Sequence, residues 1–332
     1  MAKKDSKGKS AKSAKPAKPA KAENAALAET IVEPAKAPES AKAQDSSKAH
    51  ESSKAVRMTE LLRVPTGTVD VSTFDARATP GAPGDRAATE ADFGTTAPRV
   101  AELQQRLYAE GVGGGRRRVV LLLQGMDTSG KDGTVKHVVG QVNPQGVAIK
   151  SFKAPTRAER RHDFLWRIRL AVPPAGSLGI FNRSQYEDVL IVRVHNLVPQ
   201  SEWETRYDRI NAFEQELADD GVHLIKVFLH ISKEEQKARL IDRLDDPNKH
   251  WKYNPGDITE RAFWADYEQA YSAALERCNT TEAPWFAVPA DRKWDRNWAV
   301  GRLLLETLEE LAPQYPPAYF DVVGERARAE NA

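Results

Sequence analysis

The chain has 332 residues, 40% of them hydrophobic and 29% charged, a composition that suits one large or two modest globular domains. A formal net charge of +2 carries no global signal for nucleic acid or anionic lipid, and the longest apolar run, Val119 to Leu123, is far short of the ~20 residues that span a bilayer. The single cysteine, Cys278, excludes an intrachain disulfide and a cysteine-based zinc site, and no apolar stretch follows the lysine-rich start to make a secretory signal, so a cytoplasmic location is expected.

Residues 1–55 are built almost wholly from Ala, Lys, Ser, Pro and Glu, which bury too little apolar surface to offset the entropy of ordering; the expectation is a disordered, solvated tail. Residues 56–98 are rich in Gly, Pro and Thr, with short apolar pieces such as Met58 to Leu62, and are expected to form an arm lying on a domain. The domain itself is expected over residues 99–320, with a short tail at 321–332. Val100, Leu103, Leu107 and Tyr108 recur at helical spacing. The wholly apolar run beginning at Val119 predicts a strand buried on both faces and ending at Gln124. Thereafter the pattern alternates: helix over Thr134–Val142, strand over Val147–Phe152, helix over Ala158–Leu170, strand over Leu178–Phe181, helix over Glu202–Ala218 and strand over Val222–Leu229. A polar helical stretch from Lys233 to about Leu275 precedes a last strand, Trp285–Val288, and a closing helix over Arg296–Leu311. Such alternation implies an α/β fold with a mostly parallel sheet covered on both faces, carrying a helical insertion at about 233–275.

The segment Gln124-Gly-Met-Asp-Thr-Ser-Gly-Lys-Asp-Gly-Thr134 leaves a predicted strand and enters a predicted helix, the setting of a Walker A phosphate loop. Gly125 and Gly130 allow the tight turn that presents backbone N–H groups to phosphate, and the ensuing helix directs its positive end at the same anion. Lys131 supplies a mobile cation for the transferred group, and Thr128, Ser129, Gly133 and Thr134 complete the phosphate-binding candidates. An ordinary loop of this kind has a Mg²⁺-binding Ser or Thr after its lysine; here Asp132 stands there. Asp127 is the natural replacement metal ligand, since a carboxylate beside phosphate calls for a cation between them, and Asp132 either assists or caps the helix. The strand Leu178–Phe181 runs straight into Asn182-Arg-Ser-Gln-Tyr-Glu-Asp188. Strand C-terminal ends line the ligand crevice of a parallel sheet, so Arg183 is placed to neutralise transferring oxygens, or else to pair with Glu187 or Asp188.

These two loops, together with Val142-Asn-Pro-Gln-Gly146, Ser151-Phe-Lys-Ala-Pro155, His162-Asp-Phe-Leu-Trp-Arg167, Tyr186-Glu-Asp-Val-Leu190, Trp251-Lys-Tyr253 and Ala283-Pro-Trp285, resemble the family-2 polyphosphate kinases in order and spacing from about Met58 to Tyr319. The resemblance implies a P-loop three-layer α/β/α sandwich similar to thymidylate kinase, with a helical lid over the site. It implies Mg²⁺-dependent transfer (with Mn²⁺ as a substitute) between inorganic polyphosphate and AMP, ADP or ATP. Neither nucleic acid nor a membrane is an expected partner. Asp127 corresponds to the metal-binding loop aspartate, Lys131 to the loop lysine and Arg183 to the arginine of the second motif. Asn182, where many relatives have Asp, joins Tyr186 and Glu187 as nucleotide-contact candidates. Members of that family often assemble as homo-oligomers; no residue here specifies such an assembly.

A polyphosphate donor needs a long basic track. The candidates are Lys136, His137, Lys153, Arg157 and Arg161, with Arg160 and Arg167 nearby, while Arg116 to Arg118 precede a strand and read as a solvated end. Arg239 and Arg243, at i and i+4, share a helix face in the insertion and are expected to close over phosphates as lid cations, or to pair with Asp242, Asp245 and Asp246. The seven histidines show no metal-ligand spacing and no serine sits in a Gly-x-Ser-x-Gly elbow. Trp264, Trp285, Trp294 and Trp298 read as packing residues, and either Trp251 or Tyr253 as an adenine contact. The competing functions are an ATP-dependent nucleotide or small-molecule kinase and a non-catalytic regulator that binds polyphosphate or nucleotide.

Overall fold

The computed structural model describes residues 56–140 and 142–332; the tail expected at 1–55 lies outside the described residues. Strand β1 (Arg118–Gln124) is the middle of the sheet because every side chain from Val119 to Gln124 is buried. It pairs in parallel with β3 (Leu178–Asn182) and with β4 (Val222–His230). Beyond them lie β2 (Val147–Ser151) and β5 (Trp285–Pro289), so the all-parallel order is β2-β3-β1-β4-β5. The register opposes Leu123 to Asn182 and Gln124 to Phe228. The C-terminal ends of β1, β3 and β4 therefore open at one level, which is where the loops expected to carry chemistry begin.

Alternation along β1 divides the core. Val120 and Leu122 face one apolar cluster, with Tyr207, Ile210 and Phe213 of α6 (Gln200–Asp219) and Tyr271 and Leu275 of α9 (Trp264–Arg277). Val119, Leu121 and Leu123 face the other, with Leu103 and Leu107 of α2 (Arg86–Val112) and Leu303 and Leu304 of α10 (Lys293–Leu311). Helices thus cover both faces of a parallel sheet, the three-layer α/β/α sandwich that βα alternation dictates.

Several boundaries differ from expectation. Helix α2 begins at Arg86, not near 99: the Asp85 carboxylate caps it by accepting from the Ala88 amide, and the helix continues through Pro98. Ahead of that proline, the hydroxyls of Thr95 and Thr96 donate to the Asp92 carbonyl. The expected arm therefore splits. Its first part is tied down: Glu306 of α10 accepts from the amides of Met58 and Thr59 at the start of α1 (Met58–Leu61), and the chain at Leu62–Val64 pairs with the β5 edge. The phosphate-loop helix is α3 (Lys131–Thr134) continued by a π-helical turn, Val135–Val139. The helix expected over Ala158–Leu170 is broken into a 3₁₀ turn, Glu159–Arg161, and α4 (Trp166–Arg169), because His162 is extended and Asp163 accepts from the Leu165 amide. Helix α5 (Ile191–Val194) precedes α6. The insertion resolves into α7 (Lys233–Asp245), a 3₁₀ segment Pro247–Lys252, α8 (Gly256–Glu260) and α9. The chain closes with an exposed helix, α11 (Val322–Glu330). Among the described residues no helix is long and apolar enough to cross a membrane.

Candidate active site

Between β1 and α3 the backbone takes left-handed conformations at Gly125 (φ 150°), Thr128 (φ 63°) and Gly130 (φ 103°). Space as well as φ demands the two glycines. A Cβ at Gly125 would lie 2.6 Å from the Leu229 carbonyl oxygen, and one at Gly130 would lie 1.7 Å from Arg296 Nη1. Two buried arginines hold the loop from beneath. Arg239 donates to the carbonyls of Thr128, Ser129, Ala290 and Asp291 and to the Glu235 carboxylate. Arg296 donates to the Ser129 carbonyl and to Asn297. Burial first, then the charge of Arg239, pushes the Arg296 guanidinium down to about 9.

Lys131 is buried, and its ammonium donates to the carbonyls of Gly125 (2.6 Å) and Met126 (3.2 Å), which leaves one N–H for a phosphate oxygen. Burial lowers its pKa and so does Arg183, while Asp127, Glu187 and Asp132 oppose the shift. The hydroxyls of Thr128, Ser129 and Thr134 are buried without a partner among the described residues. Buried polar groups are normally hydrogen-bonded. Three unpaired hydroxyls beside a buried ammonium, at a helix start, fit an anion.

The second loop meets the first. Arg183, at φ 64°, places Nη2 3.0 Å from Asp127 Oδ1 and Nη1 3.6 Å from Glu187 Oε2. Glu187 contributes most to raising its pKa. Gln124, with its amide oriented to satisfy both neighbours, accepts from Ser184 and donates to Glu187 (3.1 Å).

Two cavities join at this pair. A cleft of ≈ 250 Å³ lies under α8 and α9, lined by Glu187, Glu260, Trp264, Tyr267 and Tyr271 beside Asp127 and Arg183. Glu260 accepts from Tyr267 Oη (2.8 Å) and contacts His195 Nε2 (3.0 Å), which fixes this wall. A larger basin of ≈ 870 Å³ opens on the other side; ten lysines and arginines line it against five carboxylates. Asp127, Arg183, Asn254 and Asp257 border both. Burial, and next the Asp127 charge, raises the Asp257 carboxyl.

The structure brings Asp127, Lys131, Arg183, Glu187, Thr128, Gly130, Asp132, Gly133, His137, Lys153 and Arg243 to these cavities. Other expectations are corrected. Tyr186 is fully buried, with its hydroxyl on Glu214 and Lys226, and cannot touch a nucleotide. Asn182 donates to Asp132 (2.6 Å), so Asp132 neither caps α3 nor stands free. Arg239 lines the basin floor, but its five N–H bonds are committed to the backbone and Glu235, so it braces the loop rather than closing over phosphate. Arg157, Arg161 and Lys136 are exposed and line neither cavity. Arg167 is buried against Asp188 and the Lys153 carbonyl. Trp251 projects into solvent, and the aromatic wall belongs instead to Trp264, Tyr267 and Tyr271. Sequence reasoning missed Lys293 and Arg296, although they follow the last strand and its C-terminal end points to the crevice. It also missed Arg86, because α2 was not traced that far.

A glycine-turn phosphate loop with its lysine, at the strand ends of a parallel sheet, faced by an arginine from the adjacent strand, defines a P-loop phosphotransferase site. The description of the polyphosphate kinase 2 family matches residues 84–316. An AMP/ADP-polyphosphate phosphotransferase from Meiothermus ruber is 48% identical over 252 residues, 76% of this chain and 93% of that protein. An ADP-polyphosphate phosphotransferase from Rhodopseudomonas palustris is 43% identical, covering 67% of this chain and 80% of its own. The crystal structure of polyphosphate kinase 2 from Arthrobacter aurescens TC1 superposes with a TM-score of 0.81 at 51% identity, covering 84% of this chain and 98% of that one. The chain belongs to the polyphosphate kinase 2 family.

Proposed function

We propose that this protein is a cytoplasmic, Mg²⁺-dependent phosphotransferase (Mn²⁺ substituting) that reversibly carries the terminal phosphate of inorganic polyphosphate to AMP and ADP, giving ADP and ATP. One observation carries the reading: two cavities of opposite chemistry meet at Asp127 and Arg183 above Lys131. The basin, rich in cations, suits a polyanion. The small cleft, with aromatic walls and four carboxylates against two arginines, suits a nucleoside, whose ring faces stack and whose amino and hydroxyl groups donate. The names of the Meiothermus and Rhodopseudomonas relatives support the same pair of substrates.

In this reading the acceptor phosphate lies at the cleft mouth, and the donor's terminal phosphate lies on the loop amides and Lys131. The attacking oxygen is already ionised, so no general base is required. Arg183 spans the junction and stabilises charge on the transferred group, and the walls of α7 to α9 exclude water. Among the described residues no cluster of three His, Cys, Asp or Glu forms an all-protein metal cage, but Mg²⁺ held through phosphate oxygens needs only one or two carboxylates. Asp127 supplies one and Asp257 stands near it, so the donor set fits. When bound, the ion would neutralise charge between donor and acceptor.

The purified protein with Mg²⁺, long-chain polyphosphate and AMP should form ADP and then ATP, and Lys131→Ala should lower turnover at least about 10³-fold without unfolding the protein. Phosphorylation of AMP by ATP alone, with no transfer from polyphosphate, would overturn the assignment.

A further inference from the structure

A polar cluster beneath the second loop takes no part in phosphate binding. Lys226, in mid β4, is 0% exposed, and Glu214 of α6 is 1% exposed. The ammonium donates to Glu214 Oε2 (2.6 Å), the Cys278 carbonyl (2.6 Å) and Tyr186 Oη (2.9 Å), against the rings of Tyr186 and Trp285. Glu214 Oε1 in turn accepts from Tyr186 Oη and from Gln185 Nε2, both at 2.8 Å. Every N–H of the lysine is used. Desolvating such a pair costs several kcal/mol per ion, and a well-packed apolar pair would often serve stability as well.

Its placement supplies another role. Gln185 and Tyr186 sit between Arg183 and Glu187, so the buried carboxylate grips two consecutive residues of the loop that aims both groups at the cavity junction. Arg183 holds a left-handed φ of 64°, a conformation that costs of order 1–3 kcal/mol outside glycine and persists only where its surroundings over-determine it. Ser184 Oγ, accepting from the Tyr186 amide, and the Arg183 amide, donating to the Leu123 carbonyl, fix the near end; the ion pair fixes the far end.

We propose that the Lys226–Glu214 pair, acting through Tyr186 and Gln185, is a positioning device that sets the direction of Arg183 for phosphoryl transfer, an inference that rests on the function proposed above. Lys226, Glu214, Tyr186 and Gln185 are positioning residues and touch no substrate. Tyr186→Phe removes one hydroxyl and its two hydrogen bonds while keeping the ring packed on Trp285. A misdirected arginine should lower kcat about tenfold, with KM for AMP and for polyphosphate each changed less than about twofold. The decisive measurement is a double-mutant cycle: in the Arg183→Lys background, adding Tyr186→Phe should lower kcat by less than about twofold, because its effect passes through a guanidinium already lost. Equal losses in both backgrounds, or an unchanged kcat in the folded single variant, would overturn the proposal. Should Tyr186→Phe lose native near-ultraviolet dichroism, the paired replacement Lys226→Met with Glu214→Gln, which removes both charges at similar volume, is taken through the same cycle. If both fail to fold, the cluster is a stability element and the positioning role is refuted. A wild-type enzyme that transfers nothing from polyphosphate refutes the functional reading, whereas an active wild type with an additive cycle refutes only the anchor.

Discussion

Asp295, in the first turn of α10, is 1% exposed, and neither carboxylate oxygen has a partner among the described residues. Burial pushes its pKa up from 3.8 to about 7, opposed only by the charge of Arg292. The folded chain therefore holds this proton more tightly than the unfolded chain. Its contribution is most favourable below about pH 4, is lost progressively as pH rises from there to about 7, and changes no further above. Asp295→Asn keeps the shape and deletes the slope. The variant's Tm, measured against wild type, should gain several degrees between pH 5 and pH 8, at about 2–4 °C per kcal/mol for a domain of this size. A Tm difference that stays flat across that range would show that the carboxyl ionises freely. The contrast with Asp127 is instructive, because that carboxylate is half-exposed and matched by Arg183. Only tertiary surroundings distinguish the two: Asp127 faces an arginine at the cavity junction, whereas Asp295 is buried without a partner among the described residues.

At the scale of elements, α7 does something its pattern did not disclose. Spacing at i and i+4 placed Arg239 and Arg243 on one face correctly, but periodicity reports a shared face and not what that face meets. Arg239 meets backbone carbonyls of the phosphate loop and of the turn after β5, and its planar fork serves four of them with two nitrogens. Lysine lacks the fork, so Arg239→Lys should leave buried carbonyls unpaired and lower unfolding free energy by about 2–4 kcal/mol in a urea titration, with a parallel fall in turnover. Stability within about 0.5 kcal/mol of wild type would show that the loop stands without its brace. Legibility elsewhere follows the same division. The apolar run of β1, the glycine loop after it and the Arg183 loop after β3 were readable, because burial on two faces and strand-end placement are local signatures. The start of α2 was hidden by Gly94 and Pro98, which mimic helix breakers although the helix runs through both. The helix expected over Ala158–Leu170 failed at His162 and Asp163, where a side-chain cap restarts the chain. Tyr186, expected as a nucleotide contact, points down to Glu214, because only packing decides which way a loop residue turns.

Across the whole molecule, the parallel sheet sets its loops at one end, and the two helical layers give that end two unlike sides. The α8–α9 side is aromatic and acidic; the side between the phosphate loop, α10 and the chain from Ser151 to Ala154 is basic. A net formal charge of +2 conceals this, since a sum over the whole sequence does not report where charges cluster. The two substrates should consequently feel salt differently. Polyphosphate carries about one charge per unit and displaces counterions when it enters a cationic groove, so its affinity should fall as a steep power of salt concentration, as for other linear polyanions. Five basin carboxylates and the committed donors of Arg239 reduce the effective cations to a few. Raising monovalent salt from 50 to 200 mM should therefore increase KM for long-chain polyphosphate about tenfold to a hundredfold. AMP carries its charge at one end only and, in the function proposed above, places its base in the aromatic cleft, so its KM should rise less than about threefold over the same range. If both constants climbed together, the nucleotide would share the basic groove with the donor, and the division of labour between the two cavities would be wrong.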